Sequence, residues 1–334
     1  MARQTPAERT ERAIARLLAE PRPRLTAVER EARPKGNHAR VAGELSALRD
    51  LPRERFKERV RKSLERRATM GSSTQPVKYM REGFRSVTPY LILPRASEWI
   101  DQMKRAFGAA ERFRANRPGS ENVIMHAEIK IGDSILEVAD SNEQFPFSPV
   151  TLLLRVEDPD AAYQRALDAG ATPVQPVADY DYGSRGGTVR DLDGNSWHVF
   201  RPTPGNKIFE NFHSVTPHFN PVHSAEFIDF LERAFGGEET YRAQTPDGVI
   251  HHAQVRIGDS IVPMGDAHGP YQPAPATLHL YVPDTDAAYE RALGAGATSI
   301  QPPADQPYGE RNAGVRDPLG NRWFIATHLR DVAP

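Results

Sequence analysis

Three side chains of this 334-residue sequence stand where chemistry could occur: Glu137, His279 and His198. Glu137 falls among Ile135, Leu136 and Val138. A carboxylate in an apolar strand needs a partner, and that partner could be a metal ion, a substrate proton it takes as base, or an arginine. His279 lies between Leu278 and Leu280. It is a candidate metal ligand or general base, although a lone strand histidine is equally served by one structural hydrogen bond. His198 offers the same chemistry with less to single it out. The sequence contains no cysteine, so thiolate ligands, disulfides and a thiol nucleophile are all excluded.

The elements that position these residues occur twice. Ser-Val-Thr-Pro runs at 86–89 and 214–217 are each followed by an amphipathic segment ending in Ala-Phe-Gly, at 106–108 and 234–236. Then come Ile131-Gly-Asp-Ser134 and Ile257-Gly-Asp-Ser260, a second helical segment ending in Ala-Gly-Ala-Thr, and Val-Arg-Asp-x-x-Gly-Asn-x-Trp at 189–197 and 315–323. A period this long marks duplicated domains, not a solenoid. Within the first copy Val87–Leu93 reads as a buried strand. Ala96–Phe107 places Trp99, Ile100, Met103 and Phe107 at helical spacing, with Gly108 as its stop. Strands are predicted near Arg112–Ala115, Ile124–Ile131 and Ser134–Ala139, giving β-α-β-β-β. The order recurs with a strand at Thr151–Val156, a helix at Asp158–Ala169 and strands near Thr172–Gln175, Gly187–Arg190 and Ser196–Phe200. The second copy, Phe212 to His328, reads the same way, so the chain holds four such modules.

Residues 1–80 carry 20 of the 43 Lys and Arg but only 10 of the 44 Asp and Glu, so a basic arm precedes an acidic body. Residues 1–70 read as polar helices over Ala7–Ala19 and about Val41–Arg67, and residues 71–83 as a linker. The arm's charge suits nucleic acid, yet it has no zinc motif and no aromatic platform. Helices packed on the acidic body or on a partner explain the same pattern. No apolar run approaches the roughly 18 residues of a membrane span, and no signal core follows the N-terminus. The expected compartment is the cytoplasm.

The four modules, each half closed by Asp-x-x-Gly-Asn before a final strand, resemble the vicinal oxygen chelate superfamily of glyoxalase I, bleomycin-resistance proteins and extradiol dioxygenases. The run from Gln301 to Arg311 through Asp317-Pro-Leu-Gly-Asn321 looks most like its PhnB-like branch. The resemblance implies an α+β fold with two tandem domains, 84–202 and 212–330, joined by a linker at 203–211. It also implies that two modules curve into a half-open barrel, with metal ligands on the first and last strands of each. Those positions fall at Thr88 and Glu137, Leu153 and His198, Thr216 and Pro263, and His279 and Phe324. Only Glu137, His198 and His279 carry ligating groups there. If each repeat closes on itself, Glu137 shares a site with His198; if the modules cross over, Glu137 meets His279. Either arrangement supplies two ligands, fewer than the three of a catalytic zinc site. The other histidines, His126, His218, His251 and His252, enter only if a strand register is shifted by one.

The same resemblance places Tyr182 with Arg185, and Tyr308 with Arg311, at the cavity mouths. There Arg could clamp an anion while Tyr stacks on the ligand; alternatively Arg holds the turn's carbonyls. Trp197 and Trp323 either close the cores or line the cavities. Two functions follow. One is a glyoxalase-like lyase, isomerase or oxygenase acting on a small oxygenated molecule, with Glu137 and His279 catalytic and one divalent ion of zinc, nickel, manganese or iron. The other is a metal-independent protein that sequesters a small molecule. Neither needs a membrane, and a homodimer is compatible with both.

Overall fold

The computed structural model describes residues 79–269 and 271–332. The expected arm helices lie outside these residues. The first repeat runs β1 (Val87–Leu93), α1 (Ala96–Phe107), β2 (Ala110–Asn116), β3 (Ile124–Ile131), β4 (Ser134–Asp140), β5 (Thr151–Arg155), α2 (Pro159–Asp168), β6 (Thr172–Tyr180), β7 (Ser184–Arg190) and β8 (Ser196–Pro202). A 3₁₀ turn at Lys207–Phe209 leads to the second repeat: β9 (Val215–His218), α3 (Ser224–Phe235), β10 (Glu238–Gln244), β11 (Ile250–Ile257), β12 (Ser260–Met264), β13 (Thr277–Tyr281), α4 (Thr285–Gly294), β14 (Thr298–Asp305), β15 (Glu310–Arg316) and β16 (Arg322–His328). The predicted α+β architecture of four β-α-β-β-β modules is therefore present.

Local chemistry explains the helix boundaries. Gly108 ends α1 and Gly236 ends α3, both in the left-handed conformation. Asp158 and Asp284 cap α2 and α4 through the backbone N–H groups of Ala161 and Ala287. Asp140, at the end of β4, accepts from the N–H of Ala96 that opens α1 and from that of Ile124. Asp266 does the same for Ser224 and Ile250. Among the described residues no helix is long and apolar enough to cross a membrane.

The modules cross over. One sheet runs β14-β15-β16-β13-β1-β4-β3-β2 and joins the first module to the fourth, with Thr88 opposite His279. The second module joins the third through β5 and β9, with Leu153 opposite Thr216. The hydrophobic cores follow the other pairing. Trp99, Ile100, Leu152 and Trp197 pack modules one and two together, whereas Phe227, Leu231, Leu278 and Trp323 pack modules three and four. Sheets thus join the two repeats, and helices fill each repeat.

The repeated Gly-Asp-Ser turns make the crossing. Asp133 accepts from Ser214 N–H at 2.7 Å and Ser134 Oγ from Val215 N–H at 3.0 Å. Reciprocally, Asp259 accepts from Ser86 N–H at 2.8 Å and Ser260 Oγ from Val87 N–H at 3.0 Å. Each turn therefore grips the first strand of the other repeat. Arg85 pairs with both Asp133 and Asp259, at 2.9 and 3.5 Å. His213 bridges Asp133 Oδ2 at 3.2 Å and the Asp259 carbonyl at 2.8 Å. Gly132 and Gly258 sit at φ +57° and +58°, and a Cβ on them would come within 2.2 Å of Ser214 Oγ and 2.1 Å of Ser86 Oγ.

Gly132→Ala and Gly258→Ala should therefore each lose on the order of 1–3 kcal/mol beyond Gly119→Ala, because overpacking adds to the backbone strain. Gly119 has φ +79° and open space around its missing side chain, so it isolates the strain alone. Urea unfolding of the three variants checks this; equal losses would contradict the latch.

Candidate functional site

The two crossed half-barrels carry different chemistry on their concave faces. In the first, alternation along β4 sends Leu136 and Val138 into the convex core and Glu137 to the opposite side. His279 is likewise flanked by the core residues Leu278 and Leu280. Crossing brings the two together: His279 Nδ1 lies 2.9 and 3.1 Å from the Glu137 carboxylate oxygens. The other ring nitrogen, Nε2, faces Glu310 Oε2 at 3.5 Å, and both atoms are buried without a hydrogen-bond partner. Tyr281 donates to Glu310 Oε1, and Arg81 donates to Glu128 at 2.7 Å.

These groups are tightly enclosed. Glu128, Glu137, Glu310 and His279 are 3, 2, 1 and 6% exposed. Burial works against charge on His279, yet the Glu137 carboxylate outweighs it and the imidazole pKa is raised. Burial would likewise raise the Glu128 carboxyl, but His126 and Arg81 hold it below its ordinary value. Phe84 stacks edge-on against Tyr281 at 5.6 Å, Tyr281 stacks on His279 at 4.5 Å, and the Arg81 guanidinium lies 4.6 Å above the Phe84 ring.

This donor set does not fit the divalent ion implied by the resemblance. His279 lies between Glu137 and Glu310 with one ring nitrogen toward each, and a single imidazole cannot present both nitrogens to one ion. Phe324 beside His279 has no ligating atom, and Thr88 donates to the Arg85 carbonyl at 3.1 Å. Among the described residues no group of three or more His, Asp or Glu is placed to hold a metal. Tyr90, rather than Thr88, is the first-strand residue beside Glu137. His198 does not join this site at all, because the crossing puts it in the other half-barrel.

There the concave face is open. A cavity of about 460 Å³ is lined by His198 on β8, His218 on β9 and His252 on β11, with Tyr180, Tyr182, Phe200 and Phe209 among its walls. Tyr180 stacks on Tyr182 at 5.0 Å, and His198 stacks on Phe200 at 5.9 Å. Burial lowers the His198 and His252 pKa values to about 4. For His218, burial and the neighbouring His252 and His198 lower it to about 3. All three imidazoles are neutral at pH 7. Burial also pushes the Tyr182 hydroxyl up to about 12.

Other expected ligand contacts are structural. Arg185 forms a two-pronged bond to Asp160 at 2.7 and 2.8 Å and pairs with Asp179 at 3.3 Å. Arg311 binds Asp286 and Asp305 in the equivalent way. Both arginines tie a helix start to an edge strand, so neither is a free anion clamp. Trp197 and Trp323 are fully buried in the convex cores, their indole N–H groups donating to Asp191 and Asp317 at 3.0 and 2.9 Å. They do not line the 460 Å³ cavity. Tyr182 does line it, while Tyr308 is 56% exposed, its hydroxyl pKa raised by burial and by nearby Glu310 and Glu137.

His218 and His252 escape the count from the Ser-Val-Thr-Pro motif. Counting six residues back from each helix start instead aligns His218 with His279, Tyr90 and Leu153. Glu128 and Glu310, each on the third strand of its module, have no such signal.

Known proteins share this architecture. The profile described as Glyoxalase/Bleomycin resistance protein/Dioxygenase superfamily matches residues 91–199 and 219–325. An uncharacterized protein of Mycobacterium bovis is 35% identical over 130 residues, which cover 36% of this chain and 86% of that protein. One of Mycobacterium tuberculosis is 35% identical over 130 residues, 36% of this chain and 76% of its own length. The crystal structure of glyoxalase I from Zea mays aligns with a TM-score of 0.55 at 13% identity, covering 72% of this chain and 92% of that one, a likeness of fold alone.

The buried ion pair has a pH signature. A folded-state pKa raised above about 6.5 means that the stabilisation from Glu137–His279 is complete below that pH and fades as pH rises through the raised value. Glu137→Gln should cost about 3 kcal/mol near pH 6. The difference from wild type should shrink toward pH 9, as read by urea unfolding; a constant difference would contradict the pairing.

Proposed function

Because this chain belongs to the Glyoxalase/Bleomycin resistance protein/Dioxygenase superfamily, we propose that it binds a small oxygenated molecule in the half-barrel built by modules two and three. One observation carries this reading. That half-barrel holds a cavity of about 460 Å³, within the range of pockets that enclose small ligands, whereas the acidic half-barrel is packed with Arg81, Phe84 and Tyr281. Aromatic walls supply contact area, and neutral imidazoles supply hydrogen bonds that fix orientation.

Binding without a metal accords with the donor geometry of both half-barrels better than a chelate mechanism does. The catalytic reading instead rests on Glu137 and His279. Here a positively charged His279 between two carboxylates is an acid in waiting, and its buried Nε2 has no other partner. A substrate would have to displace Arg81 and Phe84 to reach it.

Calorimetric titration with 2-naphthol and 1,4-naphthoquinone separates the two. In the first reading one molecule binds per chain, affinity falls at least about tenfold in Ala243→Trp, which fills the cavity, and Glu137→Gln leaves it unchanged. Binding that survives Ala243→Trp and disappears in Glu137→Gln would move the site to the acidic half-barrel.

A further inference from the structure

The cavity of modules two and three has a lining with no Asp, Glu, Lys or Arg among the described residues. An ion entering it would lose its hydration without a carboxylate, ammonium or guanidinium to pair with, which is the costly case for a buried charge. The acidic half-barrel shows the contrast within the same chain: there Arg81 pairs with Glu128 and His279 with Glu137.

Hydrogen bonding within the cavity is nevertheless rich and directed. The Gln254 side-chain amide nitrogen donates to the Ile208 carbonyl at 2.9 Å, which fixes the amide's orientation. The same nitrogen lies 2.9 Å from His252 Nε2. His252 Nε2 must then accept, so the ring proton sits on Nδ1 and that N–H is a donor. The His218 ring, 6.3 Å away between centroids and stacked on His252, has no side-chain hydrogen bond to any described residue. Being neutral, it offers one donor and one acceptor. His198 has one nitrogen engaged with Thr188 at 3.0 Å and the other unengaged. Neutral donors and acceptors of this kind, spaced between flat aromatic walls, match hydroxyl and carbonyl groups on the edge of a planar ring.

The geometry points to an uncharged, planar aromatic molecule carrying hydroxyl or carbonyl groups as the occupant, held edge-on by His218 and His252 and face-on by the tyrosine and phenylalanine walls. This rests on the cavity being the binding site. The oxygen groups need not be ionised: a phenol donates to an imidazole acceptor and accepts from an imidazole N–H. Removing the hydroxyl leaves those imidazoles unpaired, so the site should reject the bare hydrocarbon as well as charged analogues.

A charge-matched series on one scaffold tests the class. Full-length protein is titrated calorimetrically at pH 7 with 2-naphthol, 2-naphthoate, 2-naphthylmethylammonium and naphthalene. The expected order places 2-naphthol at least about tenfold tighter than the two ions and several-fold tighter than naphthalene. His218→Phe keeps the aromatic bulk and should weaken 2-naphthol about tenfold while leaving naphthalene unchanged. If 2-naphthoate or the ammonium binds as tightly as 2-naphthol, and Ala243→Trp blocks it, the inference about ligand class is overturned while the cavity stands as the site. If no member binds, the cavity reading itself is overturned. Equal loss of 2-naphthol and naphthalene in His218→Phe would overturn the inference about ligand class and leave the cavity as the site, by showing that the imidazole contributes shape and not hydrogen bonds.

Discussion

The crossed pairing of the two repeats is held by two four-residue turns, each gripping the other repeat. In each, the Asp carboxylate and Ser hydroxyl accept the first backbone N–H groups of the strand that opens the opposite repeat. The strand so captured brings Val87 into the core of modules three and four, and Val215 into the core of modules one and two. Glycine is required because a Cβ would strike the gripped serine. Arg85 and His213, at equivalent places in the two repeats, contact the aspartates from the same central point, Arg85 by ion pairs and His213 by hydrogen bonds. Burial raises the cost of these carboxylates, but the bonds from Ser214 and Ser86 overcome it and hold Asp133 and Asp259 below their ordinary pKa values.

The consequence is a division between what sheets do and what helices do. Hydrogen-bonded ladders cross between repeats, while each of the two large hydrophobic cores is built mainly from one repeat and takes a single valine, Val87 or Val215, from the captured strand of the other. Neither repeat can leave without exposing both a sheet edge and half of a half-barrel. The parts repeated in both copies, the Asp-x-x-Gly-Asn-x-Trp closures and the paired arginines, serve this scaffold: Asp191 gathers Asn195, Trp197 and Trp99, and Asp317 gathers Asn321 and Trp323. These repeated groups are structural here.

The concave faces carry what differs. Where the first module places Glu128 and Glu137, the third places Gln254 and Pro263, at matching positions of the paired strands. One half-barrel thus became an ionic cluster, closed on itself by Arg81 and Phe84. The other has an interior without carboxylates, where desolvation suppresses protonation of His198, His218 and His252. Low dielectric acts oppositely in the two: with a carboxylate at contact it favours the charged imidazole, and without one it forbids it.

The sequence by itself determined the modules. Period-two and helical spacings, the stopping glycines and the repeated motifs fix the order β-α-β-β-β four times, because these are local properties of adjacent residues. It also fixed that Glu137 and His279 would be the notable groups of their strands. What it left open was which modules share a sheet, since that depends on hydrogen bonds between Ser86 and Asp259, residues 173 positions apart. Only the crossing decided that Glu137 would meet His279 and that His198 would meet His218 and His252 instead. The cavity is of the same kind. Whether a concave face is filled or hollow depends on what the preceding segment lays across it, Phe84 and Arg81 in one case and Phe209 and Phe212 in the other, and on side-chain volumes contributed by strands distant in the chain.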